Sequence, residues 1–243
     1  MPVAPLPLPG LFVTGTDTDV GKTVIAAAIA RAMRQVGERV AVLKPVATGC
    51  RKDREGLISG DAELLAAASD TPQPLDLICP NRYAEPVAPS VAARRTGRPI
   101  DYKAIDNAAR LAAARASVFV VEGAGGVLTP LDDRHTVADL IAALGAAAVV
   151  VAHARLGTIN HTLLSIEALR IRGIEVAGVV LNQYPPDGAS TAEETAAAEI
   201  ERHGRVPVLA IAPREGFTPP HLPAGVMAAV GRVDWAEKCK TLR

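Results

Sequence analysis

Six short runs of Val, Leu, Ile and Ala, each nearly continuous in its apolarity, recur along the chain with helix-patterned stretches between them. They are Leu11-Phe12-Val13, Val40-Ala41-Val42-Leu43, Val118-Phe119-Val120-Val121, Ala148-Val149-Val150-Val151, Val176-Ala177-Gly178-Val179-Val180-Leu181 and Val208-Leu209-Ala210-Ile211. A strand with one wetted face alternates apolar and polar residues; a continuous run reads as a strand covered on both faces. Between the first two runs Val24, Ile25, Ala28, Ile29, Ala32, Met33 and Val36 recur at helical spacing and Gly37 follows as a stop. Residues 160–172 repeat the pattern with Leu163, Leu164, Ile166, Ala168 and Leu169, and Gly173 ends it. Strand, helix, strand in succession demands right-handed crossovers. The expected fold is α/β: a single domain spanning 1–243, with a mostly parallel central sheet and helices on both faces. Within it, 1–10 reads as a Pro-rich N-terminal arm, 71–99 as an irregular excursion beside the sheet and 216–243 as a C-terminal segment.

Composition narrows the function classes. Basic and acidic residues balance at 26 each, so the basic excess of a nucleic-acid binder is missing. No apolar run approaches the roughly 18 residues of a membrane helix; the longest, 146–152, has the length of a strand. The N-terminus is apolar but studded with prolines, and it lacks the positive start of a secretory signal. Cys50, Cys79 and Cys239 form neither a metal spacing nor a disulfide framework, and the five histidines form no ligand set. A cytoplasmic protein, without nucleic-acid or membrane partners, is expected.

The most informative segment is Gly15-Thr16-Asp17-Thr18-Asp19-Val20-Gly21-Lys22-Thr23, which follows the first strand and opens the first helix. Phosphates bind at such a place because backbone N–H groups and the helix N-terminus point at them. Lys22 would reach the outer phosphates and the Thr23 hydroxyl a Mg²⁺ ion. The glycine usual six residues before the lysine is displaced by one position, so the loop carries one extra residue.

In an open parallel sheet, ligands bind outside the carboxyl ends of the strands. Lys44 follows the second run; it is either a solvated strand end or, beside the phosphate loop, a charge for the ligand. Glu122 follows the third and precedes Gly123-Ala124-Gly125-Gly126; it is either an ordinary exposed strand end or, with glycines behind it that permit close backbone approach, the carboxylate that completes a magnesium site. Asp61 is either a helix-start acid or a metal ligand. Asn182 is either a turn residue or a contact to a base edge.

Together these segments resemble the dethiobiotin synthetase family. The resemblance rests on the phosphate loop, Lys44-Pro45-Val46-Ala47-Thr48-Gly49, the stretch Val121-Glu122-Gly123-Ala124-Gly125-Gly126-Val127-Leu128-Thr129-Pro130-Leu131, and Leu156-Gly157-Thr158-Ile159-Asn160-His161. It implies ATP- and Mg²⁺-dependent closure of a ureido ring on 7,8-diaminononanoate with CO₂, in a homodimer. Carried over by position, Lys44 and Lys22 are catalytic, and Thr23, Asp61 and Glu122 surround Mg²⁺. ATP would lie on Thr18, Asp19, Val20, Gly21, Lys22, Thr23, Glu122, Asn182 and Pro213, with Asn182 at adenine. The diamine would lie on Thr18, Asp19, Lys44, Thr48 and Gly125, and on Asn160 reaching across the dimer interface. Asp19 stands where the family often has Glu, Val127-Leu128 where it often has Trp-Phe, and Arg155 where it often has Lys.

Two other readings compete. Switch ATPases that dimerise around ATP share the expected fold but carry a second lysine early in the loop, where this chain has Asp17-Thr18-Asp19. Amidotransferase-type ligases add a glutaminase domain with a nucleophilic Cys, for which 243 residues leave little room.

Overall fold

The computed structural model describes residues 1–54 and 56–241, so the last two positions of the 216–243 segment lie outside the described residues. In chain order the elements begin with β1 (Gly10–Gly15), α1 (Lys22–Gln35), β2 (Val40–Leu43), β3 (Val46–Ala47), β4 (Arg51–Asp53), β5 (Gly56–Ile58), α2 (Gly60–Ser69) and α3 (Leu75–Ile78). They continue with β6 (Asn81–Arg82), α4 (Pro89–Thr96), α5 (Tyr102–Ala113), β7 (Val118–Glu122), α6 (Val137–Leu144), β8 (Ala147–His153) and α7 (Thr158–Arg170). The last are β9 (Val176–Tyr184), α8 (Thr191–Gly204), β10 (Val208–Pro213), α9 (Ala224–Val230) and α10 (Trp235–Thr241).

All six apolar runs are strands of one sheet, ordered β2-β7-β1-β8-β9-β10 and parallel at every pairing. Alternate residues feed two cores. Leu11, Val13, Val120 and Val149 meet α1, α2, α9 and α10 on one face. Phe12, Phe119, Val121 and Val150 meet α5, α6, α7 and α8 on the other. With aromatics at 3%, bulk comes from these aliphatic layers, and each fully buried Val, Leu or Phe contributes about 1.5–3 kcal/mol. α1 is buried almost all round, Ala26, Ala27 and Ala30 as well as Ile25, Ile29 and Met33, because α9 and α10 cover it. Trp235 anchors that cover, donating from its indole N–H to Val230 O at 2.8 Å.

The chain leaves β1 toward the β2 edge and leaves β8 toward the β10 edge, so the sheet parts beside β1 at its carboxyl end, where open α/β sheets bind ligands. The N-terminal arm is tied down: Leu6 N–H donates to Leu144 O, and Phe119 N–H to Pro9 O.

The 71–99 stretch is less irregular than its prolines imply. It contains α3, β6 and α4, with Pro74 as the N-cap of α3 and Pro89 in the first turn of α4. Proline marks helix starts as well as loops, since its missing N–H is not needed in the first turn. The stretch also closes an edge of the sheet. The Gln73 side-chain amide accepts from Val42 N–H at 3.0 Å and donates to Val42 O at 3.2 Å, satisfying β2 groups that would otherwise be open to another strand.

Candidate active site

Register brings the first two charged residues together. Leu43 on β2 pairs with Val121 on β7, so the next residues, Lys44 and Glu122, emerge side by side. Leu43 and Val121 face the α5–α8 core, so alternation turns Lys44 and Glu122 to the other face, where α1 and α2 begin. Lys44 Nζ lies 2.7 Å from Glu122 Oε1 and 2.7 Å from Asp61 Oδ2, and it donates to Gly123 O at 3.2 Å. Lys44 is therefore buried and paired, and the solvated reading fails. The expected reason was inexact: β2 is an edge strand separated from β1 by β7, and Lys44 reaches the site through the end of β7. The excursion holds it there, since Lys44 N–H donates to Ile78 O at 2.7 Å, at the end of α3.

Asp61 stands in the first turn of α2, behind the N-cap Ser59, whose hydroxyl accepts from Ala62 N–H. It is more than a helix-start acid. Thr23 Oγ1, in the first turn of α1, donates within 2.8 Å of Glu122 Oε1 and lies 3.1 Å from Asp61 Oδ1. Burial pushes the Glu122 carboxyl up, against the pull of Lys44. At Asp61 burial also pushes upward, but the Lys44 ammonium wins and holds the carboxyl below its usual range. Burial lowers Lys44 as well, and there Glu122 and Asp61 more than offset it, so the amine stays firmly charged.

Lys22, buried at the start of α1, donates to Asp17 O at 2.7 Å, folding back over its own loop. Burial, helped by the Lys44 charge, lowers it to about 8 against the pull of Glu122 and Asp61. A phosphate anion is the natural partner for such a strained cation.

Could these residues hold a divalent cation? Glu122 Oε2 is buried without a hydrogen-bond partner, and Thr23, Asp61 and Glu122 offer hard oxygen donors. No group of three His, Cys, Asp or Glu suited to a metal occurs among the described residues. Two carboxylates and a hydroxyl fit Mg²⁺, which keeps waters and substrate phosphates as its other ligands.

A cleft of about 500 Å³ gathers Thr18, Asp19, Gly21, Lys22, Thr23, Lys44, Thr48, Asp61, Glu122 and Gly125. Phe217 and Pro219, from the loop after β10, complete its wall, as do Val24 and Leu64. Sequence reasoning missed Phe217; its only signal was one of three phenylalanines in a Gly/Pro-rich loop after a strand. Four expected residues do not line this cleft. Val20 is buried in the core, so only its backbone is free to serve the loop. Asn160 is exposed in the first turn of α7, Pro213 ends β10, and Asn182 is buried with its amide donating to Val20 O at 2.9 Å. A second cleft of about 380 Å³ adjoins the loop, between Thr16, Asp17, Thr18, Leu128, His161 and Leu164.

Fold and cleft together define a nucleotide-binding α/β protein whose phosphate loop joins β1 to α1. Solved structures agree on the fold. A MinC:MinD cell division protein complex from Aquifex aeolicus matches with a TM-score of 0.58 at 14% identity, over 96% of this chain and 94% of the other. The cell division ATPase MinD of Pyrococcus furiosus matches with a TM-score of 0.53 at 16% identity, over 97% of this chain and all of the other. The AAA domain family model matches residues 9–218. Among curated proteins, the ATP-dependent dethiobiotin synthetase BioD of Anaeromyxobacter dehalogenans strain 2CP-1 is 48% identical over 206 residues, 85% of this chain and 90% of the relative. The same-named protein of Anaeromyxobacter sp. strain K is 50% identical over 178 residues, 73% of this chain and 78% of the relative. The chain belongs to the ATP-dependent dethiobiotin synthetase family, whose members are ligases.

Proposed function

We propose that this cleft closes a ureido ring on 7,8-diaminononanoate, using CO₂ as the carbon source and ATP as phosphoryl donor. One amine adds to CO₂ and loses a proton, giving a carbamate. A carbamate oxygen attacks the γ-phosphorus and ADP departs. The second amine then attacks the carbamoyl carbon, its proton passes to the departing phosphate, and that phosphate carries away the oxygen that must be lost. The observation that carries this reading is the meeting of Lys22, Lys44, Thr23, Asp61 and Glu122 in one cleft, in a chain about half identical to named dethiobiotin synthetases.

Each residue has a task that its position supports. The loop amides and Lys22 hold the triphosphate. Thr23, Asp61 and Glu122 would hold Mg²⁺, which supplies charge neutralisation on the phosphate oxygens. Lys44 stabilises the carbamate and the charge on the transferring phosphoryl group, the kind of preorganised neutralisation on which such transfers depend. Asp19, with Thr18, Thr48 and Gly125, meets the amino end of the substrate; an acidic side chain suits an ammonium. Adenine lies toward the ends of β9 and β10, near Pro213.

The protein acts as a cytoplasmic homodimer. Leu156, Leu164 and Ile171, on or flanking α7, and Leu128 beside it are exposed. A second copy over this face would cover them and close the smaller cleft over the substrate tail, with Asn160 serving the neighbouring site. Among the described residues no helix is long and apolar enough to cross a membrane.

Incubation with ¹⁴C-bicarbonate, the diamine and Mg-ATP tests the reaction. Acid-stable label in a product retained by avidin is expected, and its absence would overturn the reading.

A further inference from the structure

We propose that Asn182 and Gln183 are positioning residues that clamp the phosphate loop from the end of β9. The clamp consists of two consecutive side-chain amides on two consecutive loop carbonyls. Asn182 Nδ2 donates to Val20 O at 2.9 Å, and Gln183 Nε2 donates to Asp19 O at 3.2 Å. Since each acceptor is a carbonyl oxygen, each amide must present its nitrogen.

The backbone around these contacts adopts conformations that side chains usually avoid. Asp19 has φ 59°, Gly21 φ 89° and Gln183 φ 60°. Left-handed residues other than glycine are uncommon, and such backbone persists only where its surroundings over-determine it. Here the strained residues lie opposite one another across the two hydrogen bonds. Gly21 also needs its missing side chain, because a Cβ there would stand 2.0 Å from Asn182 Nδ2.

The effect on function follows from the trans peptide unit, whose C=O and N–H point in opposite directions. Asp19 O shares a peptide plane with Val20 N–H, and Val20 O with Gly21 N–H. Pinning both carbonyls to β9 turns both N–H groups the other way, toward the cleft that Gly21 and Lys22 line and Asn182 does not. The clamp thus fixes the donors that a triphosphate needs, whatever base it carries. It rests on the reading that residues 15–23 form the phosphate site.

The test separates loop from base by using inorganic tripolyphosphate beside ATP, both with Mg²⁺, on the full chain. Asn182→Ala removes the buried donor. Gln183→Asn shortens the exposed one while tolerating the left-handed backbone, which keeps a correctly folded variant in the set. Melting curves check folding. If the clamp holds, each variant binds tripolyphosphate more weakly, roughly three- to tenfold, as expected for one lost hydrogen bond, and ATP more weakly by at least that factor. Weakened ATP with unchanged tripolyphosphate would overturn the clamp and make Asn182 a base contact. Unchanged affinity for both ligands would also overturn it. Lys22→Ala distinguishes the underlying reading. If this variant keeps full tripolyphosphate affinity, the loop is not the phosphate site and the clamp falls with it; if it alone loses affinity, only the clamp falls.

Discussion

Lys44 and Glu122, 78 residues apart in sequence, meet at 2.7 Å because their strands are paired one residue earlier, at Leu43 and Val121. The pair is buried on both sides, and Asp61 joins it from α2. Three elements distant in sequence therefore share one charge cluster at the carboxyl end of the sheet.

Lys44→Met should lower turnover at least about a hundredfold at saturating substrates, the cost of losing a preorganised charge that acts in the transition state. From sequence, truncating a strand-end lysine would leave the melting curve normal. The structure reverses that expectation. Removing one member of a buried ion pair strands Glu122, and such losses run to about 3–5 kcal/mol, so the variant should melt well below the parent. Turnover above half that of the parent would return Lys44 to a purely structural role.

Asp61→Asn and Glu122→Gln should each raise the Mg²⁺ concentration needed for half-maximal activity. Both changes are nearly isosteric, and Lys44 keeps one carboxylate partner in either variant. Titrating activity with Mg²⁺ checks this, and unchanged magnesium dependence in Asp61→Asn would leave that residue a partner of Lys44 only.

The Asn160→Ala and Lys22→Ala chains, each weak alone, should recover activity when mixed and allowed to exchange subunits. One site of the mixed dimer then keeps both groups. Demonstrated exchange without recovery would count against a substrate contact across the interface.

A pH-dependent contribution to stability should arise at Asp132, which lies outside the phosphate-loop cleft. Burial pushes its carboxyl up, but the Tyr102 hydroxyl, His135 and the N–H groups of Arg134 and His135 outweigh it and hold the carboxyl well below the usual carboxylate range. A depressed folded-state value means the folded protein binds fewer protons than the unfolded chain. The stabilisation is therefore full above the unfolded value near 3.9 and fades as pH falls through the folded one. Urea unfolding between pH 7 and pH 3 should show Asp132→Asn losing less stability on acidification than the parent. Parallel curves would remove Asp132 from the account.

Local pattern made much of this molecule legible. The six continuous apolar runs are the six strands of the central sheet; in five of them two covered faces leave no polar alternation to confuse the reading, while on the edge strand β10 Ile211 is exposed. The phosphate loop and Glu122 were legible because strand, glycines and charged residue are contiguous. What was hidden depends on contacts between distant segments. Nothing around Lys44 says whether it is wetted; β7 and the Ile78 carbonyl decide that. Phe217 enters the cleft from a loop almost 200 residues after the phosphate loop. Nothing local pairs the Asn182 amide with the Val20 carbonyl 162 residues away. The two small sheets, β3 with β6 and β4 with β5, are too short to produce a periodic signal.

Phosphate release by the purified protein, followed with Mg-ATP while the diamine and bicarbonate are omitted in turn, tests the central claim most directly. Joining two amines through CO₂ requires all three substrates before the anhydride can collapse. Release should therefore be fast only in the complete mixture and near background in each omission. Rapid phosphate release from Mg-ATP alone, indifferent to diamine and bicarbonate, would contradict the account.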